Sequence, residues 1–132
     1  MILHRGGRST PTWADPDPES RLLVDGAPAC ALWVARTASE RRTGLLGTDG
    51  LDGALWLEPC SSVHTIGMRY PIDVVFLTRT GVARAVVTMR PGRIGRPRAA
   101  RTVVELPSGA AARLGITPGI LLSRTTDSTA AR

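Results

Sequence analysis

Apolar and polar positions along this chain alternate in short runs, and glycine, proline and Asp-Gly steps interrupt them every few residues. That pattern predicts short strands rather than long helices. Apolar runs at 21–24 and 30–35 flank Asp25-Gly26, a strong two-residue hairpin signal. Pro28 places the start of the second strand near or after itself, because proline donates nothing to a ladder. Residues 54–57 (ALWL) make a short strand closed by Pro59. Residues 72–77 (IDVVFL) and 82–89 (VARAVVTM) are β-branched runs on either side of Thr80-Gly81 and predict a central hairpin. Residues 102–106 (TVVEL) and 120–123 complete the strands.

Helix is expected in two places. Thr37-Ala38-Ser39-Glu40 fits a capping box opening a helix over 37–46, with Gly47 as its stop. Ser108 can cap one or two turns over 108–114, with Gly115 just past the end. The fold class is therefore mainly β: a single compact β-barrel or sandwich of about seven short strands with two short helices. Residues 4–20 contain three prolines and paired glycines without apolar periodicity, so 1–20 reads as a flexible leader with Trp13 on the surface. The β domain is expected over 21–124, and 125–132 as a flexible tail.

With 132 residues the chain has room for one domain. It carries 17 cations, all arginine, against 11 acids, and it contains no Lys, Asn or Gln. That bias points to an arginine-rich codon economy more than to a nucleic-acid function. No apolar run approaches the ~20 residues of a membrane span, and the opening Met1-Ile2-Leu3 is no signal-peptide core. The expectation is a cytoplasmic monomer whose Cys30 and Cys60 are unpaired thiols, Cys30 being buried on its strand.

Chemistry concentrates in residues 60–77, Cys60-Ser-Ser-Val-His64-Thr65-Ile-Gly67-Met68-Arg69-Tyr70-Pro71-Ile72-Asp73-Val-Val-Phe76-Leu77. The run HTIGMRYPIDVVFL resembles the core signature of a prokaryotic family, domain of unknown function 192. Arg42-x-Gly44-Leu45-Leu46-Gly47 is similar to that family's earlier Arg-x-x-Gly-Leu-Met block, with Arg41 fitting the arginine position better by spacing. Val103-Val104-Glu105-Leu106-Pro107-Ser108-Gly109, with Gly115-Ile116 and Gly119, resembles its closing block. The resemblance spans residues 28–123 and implies a compact β domain with two small helices and no settled activity. The closing block usually ends Gly-Asp, whereas here Ile120 follows Gly119, so a role for that acid does not carry over.

Several readings of these residues compete. The favoured one is a small-ligand or protein-partner site on the 60–73 loop, drawing on His64, Thr65, Met68, Arg69, Asp73 and Glu105. A second is a hydrolase or transferase in which Asp73 orients His64 and Cys60 is the nucleophile. The plainer alternative, which weighs more than the enzyme reading, is that His64 and Asp73 hydrogen-bond the backbone of an irregular loop. No nucleophile elbow is present. Asp73 should face away from Ile72 and Val74, and if buried it needs a cation such as Arg69 or several donors. Glu105 poses the same question. His64 and Asp73 are expected to share one pocket walled by Met68 and a tryptophan.

Five arginines and no acid fall between Arg90 and Arg101, so Arg90, Arg93, Arg96 and Arg98 form a candidate site for an anionic partner. No aromatic residue lies there to stack on bases, so a nucleic-acid partner is not expected. Cys60-x-x-x-His64 offers only two metal ligands, and the remaining histidine, His4, is remote in sequence, so neither metal nor cofactor is expected.

Overall fold

In the computed structural model, which describes residues 3–5, 20–95 and 99–125, Asp25 and Gly26 both adopt positive φ, +52° and +84°. This mirror-image turn matches the twist of paired strands. It joins β2 (Ser20–Val24), the second strand after β1 (Leu3–Arg5), to β3 (Ala27–Ala35) as an antiparallel hairpin. The register slips between Leu22 and Leu23, opposite Pro28. Next come α1 (Ala38–Thr43), β4 (Thr48–Leu51) and β5 (Ala54–Leu57). The second expected hairpin forms between β6 (Ile72–Leu77) and β7 (Ala83–Met89). β8 (Thr102–Pro107), α2 (Ala110–Arg113) and β9 (Leu122–Arg124) follow.

Seven strands form one sheet in the order β7-β6-β8-β5-β3-β2-β9, and β1 pairs with β4 separately. β3 and β5 run parallel while their neighbours pair antiparallel. A parallel pair needs a crossover, and α1 with β4 supplies it over one face. The fold is mainly β as expected, but the ladder does not close into a barrel. β7 and β9 are its edges, joined by the isolated bridge between Val82 and Leu121, where Ala83 N–H donates to the Ile120 carbonyl at 2.9 Å, Gly119 N–H to the Ala83 carbonyl at 2.8 Å and Leu122 N–H to the Gly81 carbonyl at 2.9 Å. β9 is three residues long against seven in β7, too short to extend that contact into a ladder.

Both faces of the sheet are buried, and strand alternation divides the core cleanly. Trp33, Leu55, Leu57, Ile72, Val74, Phe76 and Val103 pack on the face beneath Leu45 and Val63. Leu32, Trp56, Val75, Leu77, Val104 and Leu106 pack on the other, against Ala110 and Ala111 of α2. β4 and β1 have no counterpart among the expected strands, because Thr48-Asp-Gly-Leu51 carries no apolar alternation. The expected helix over 37–46 ends at Thr43: Gly44 turns out with φ +48° and ψ −129°, earlier than the expected stop at Gly47. Its capping box is formed, with Glu40 N–H donating to Thr37 Oγ1 at 3.0 Å and Thr37 N–H donating back to Glu40 Oε1 at 3.1 Å.

Candidate functional site: a cavity over Glu105

Alternation along β8 aims Glu105 to the same face as Val103, towards the core beneath α1. Its side chain is 5% exposed, and its Oε1 has no hydrogen-bond partner. Among the described residues no ion pair or hydrogen bond reaches this carboxylate. Desolvation raises its pKa from 4.5 to about 7. Native interiors rarely leave such an atom unsatisfied. The Glu105 side chain lines a cavity of about 470 Å³, together with Arg41, Arg42 and Gly44 from α1 and its exit, Cys60, His64 and Met68 from the following loop, and Ile72 of β6.

The groups around the acid direct their donors elsewhere. Gly44 N–H donates to the Glu40 carbonyl at 2.9 Å. The Cys60 thiol donates to the Ser62 carbonyl at 3.3 Å. Arg41 donates to the carbonyls of Arg36 at 3.0 Å and Glu58 at 3.4 Å. Thr48 donates to the Leu45 carbonyl at 2.6 Å, so the Tyr70 hydroxyl is the donor in its own 2.6 Å bond with Thr48. Burial pushes both the Cys60 thiol and the Tyr70 phenol above their ordinary ranges, keeping them protonated.

The structure gathers some of the expected site residues and separates others. His64, Met68, Cys60 and Glu105 line the cavity. Asp73 does not join them. It points through the opposite face of β6, 3% exposed, and accepts from Thr88 Oγ1 at 2.7 Å and from the backbone N–H groups of Gly109 and Ala111, both at 3.0 Å. It therefore caps α2 from a distant strand, in place of Ser108, which makes no such bond because the N-cap position falls on Gly109. The expected His64–Asp73 pocket is not formed. Arg69 is bound to Asp49 at 2.7 Å and serves neither acid. Of the expected walls Met68 is present, but Trp33 and Trp56 are buried in the two cores and do not line the cavity.

Thr65 is fully buried and fastens the arginine loop. Its hydroxyl donates to the Arg90 carbonyl at 2.5 Å and accepts from Arg93 N–H at 2.9 Å. The side chains of Arg90 and Arg93 are exposed, and Arg96 and Arg98 lie outside the described residues. Cys30 and Cys60 are free thiols, and Cys30 is half-buried rather than buried. Among the described residues no group of three or more His, Cys, Asp or Glu side chains could hold a metal ion. No helix among them is long and apolar enough to cross a membrane.

Arg41, Arg42 and Gly44 are site residues that reasoning from residue types missed. Their signal was present in the Arg-x-Gly-Leu-Leu-Gly block, because the three sequence blocks quoted above converge on this one cavity. Residues 21–123 match the family DUF192, described as an uncharacterized ACR, and the chain belongs to that family. Two solved structures share its fold. A protein of unknown function from Novosphingobium aromaticivorans is 20% identical, with a TM-score of 0.64 over 89% of this chain and 99% of its own. A Sinorhizobium meliloti protein described as a "putative transcription regulator" is 21% identical, with a TM-score of 0.66 over 80% of this chain and 91% of its own. At these identities the likeness shows the fold alone. No curated protein matches the sequence.

Proposed function

We propose that this domain binds a small organic ligand in the cavity between α1, the 60–68 loop and β8, acting as a cytoplasmic monomer. The observation that carries the proposal is Glu105, a buried carboxylate whose Oε1 has no partner and whose side chain lines this cavity. Ligand sites combine an apolar lining with a few convergent polar groups, and their volumes run from about 300 to 1,000 Å³. Leu45, Leu57, Val63, Met68 and Ile72 supply such a lining, and Glu105 supplies the polar group.

The catalytic reading has less support. Asp73 is engaged at α2, and a Cys60 thiol raised by burial is a poor nucleophile. The anionic-partner reading rests on exposed arginines alone. The binding proposal is tested by titrating the full-length protein with a library of small polar–apolar fragments while following backbone amide resonances. Shifts confined to Gly44, Val63, Met68 and Glu105 are expected. Fragments that bind only elsewhere, or not at all, would remove the proposal.

A further inference from the structure

Building on the cavity as a ligand site, we propose that its ligand is a primary amine with an apolar body, its ammonium head against Glu105 and an anionic group at its outer end facing Arg42 and His64.

The head group follows from what the cavity floor lacks. Glu105 has an acceptor without a donor, and the Gly44 N–H, the Arg41 guanidinium, the Tyr70 hydroxyl and the Cys60 thiol are directed to other acceptors. An alcohol would bring one donor and leave the carboxylate charge uncompensated. An ammonium brings three donors and the opposite charge together. A carboxylic acid entering head-first would set two acids against each other.

The body and outer end follow from the walls and the mouth. Leu45, Leu57, Val63, Met68 and Ile72 present hydrocarbon along the cavity, which suits an aliphatic or aromatic body. Glu105 is the only acid among the lining residues, whereas Arg41, Arg42 and His64 are all basic. Arg42 and His64 are exposed, and no hydrogen bond or ion pair to the Arg42 guanidinium is formed among the described residues. A dication would thus be repelled at the mouth, while an anionic outer group would meet a guanidinium able to grip it with two donors.

Four probes of one chain length separate the parts: n-hexylamine, n-hexanol, caproate and ε-aminocaproate, titrated calorimetrically into the full-length protein at about pH 8. Hexylamine should bind at least about tenfold tighter than hexanol, the scale of one charge-assisted hydrogen bond, and ε-aminocaproate tighter still. Glu105→Gln, nearly isosteric and neutral, should bring the hexylamine-to-hexanol ratio close to one while hexanol binding persists. Arg42→Ala should remove the added affinity of ε-aminocaproate over hexylamine. Equal binding of hexanol and hexylamine, a preference for caproate, or an unchanged ratio in Glu105→Gln would overturn the amine assignment and leave the cavity as a ligand site. Failure of all four probes to bind would overturn both.

Discussion

A methyl group placed on the α-carbon of Gly44 would lie 3.3 Å from Oε1 of Glu105. The exit of α1 and the middle of β8, remote in sequence, thus approach so closely that a side chain at Gly44 would press on the acid. Two constraints fall on one glycine. Its φ of +48° with ψ of −129° is a backbone conformation that side chains disfavour, and its Cα must pass close over a carboxylate.

Gly44→Ala should therefore cost about 1–3 kcal/mol of stability, the usual range for a residue held in a sparsely populated backbone region. The added methyl should also crowd Glu105 and weaken any cavity ligand. Urea denaturation measures the first effect and amine titration the second. A variant as stable as the parent would show that the turn can relax away from β8.

The buried carboxyl of Glu105 makes stability depend on pH. Its pKa of about 7 in the folded protein exceeds the ordinary 4.5. Between those values the folded chain holds a proton that the unfolded chain has released, so stability falls as pH rises through the window and levels off above it. The predicted loss is about 3 kcal/mol at 1.36 kcal/mol per pH unit. Arg41 and Arg42 on α1 and Cys60 and His64 in the loop line the same cavity, Tyr70 lies within electrostatic reach of the acid, and none of them pairs with the carboxylate. Glu105→Gln should remove this dependence, matching the parent near pH 5 and exceeding it near pH 8. Parallel pH profiles for the two proteins would contradict the prediction, since the other carboxylates cancel in the comparison.

Asp73 should behave as a structural cap. Asp73→Ala leaves the N–H groups of Gly109 and Ala111 and the hydroxyl of Thr88 without their acceptor, at a cost of about 3 kcal/mol or more. Asp73→Asn keeps one oxygen for the two N–H groups and can donate to Thr88, so it should cost distinctly less. Neither variant should alter amine binding once it is folded, because Asp73 faces away from the cavity. Loss of binding in folded Asp73→Asn would show that the two faces of β6 are coupled.

Local signals were legible in the sequence, and long-range ones were not. Asp25-Gly26 and Thr37 with Glu40 act within a few residues, so the turn and the capping box could be read directly. Alternation along 72–77 put Asp73 opposite Ile72, where burial calls for a cation or several donors; the described residues supply donors and no cation. What could not be read was the source of those donors, because α2 lies 36 positions downstream of Asp73. β4 stayed hidden because Thr48-Asp-Gly-Leu51 reads as a turn and is a strand only through its pairing with β1. The convergence of Gly44, His64 and Glu105 depends on the β5-β8-β6 order of the sheet, which no local pattern encodes.

The arginine loop should loosen when Thr65 loses its hydroxyl. Thr65 sits immediately after His64, and its Oγ1 both donates to the Arg90 carbonyl and accepts from Arg93 N–H. Its backbone completes the clasp: Thr65 N–H donates to the Arg93 carbonyl at 2.7 Å, and Gly92 N–H donates to the Thr65 carbonyl at 2.9 Å. Val63 accepts from Gly95 N–H at 2.7 Å one step further along. Thr65→Val preserves shape but leaves one buried donor and one buried acceptor unmet, for a cost of about 1–3 kcal/mol. Thr65→Ser keeps the hydroxyl and loses only a methyl group, roughly 1 kcal/mol. The amides of Gly92, Arg93 and Gly95 should exchange with solvent faster in Thr65→Val than in Thr65→Ser, while those of β6 remain protected. The cavity mouth would register the change through His64, whose backbone bridges to Ile94 of the same loop. Uniform acceleration across the domain would mean that Thr65 supports the whole fold, and no acceleration would mean that the backbone clasp holds the loop without the hydroxyl.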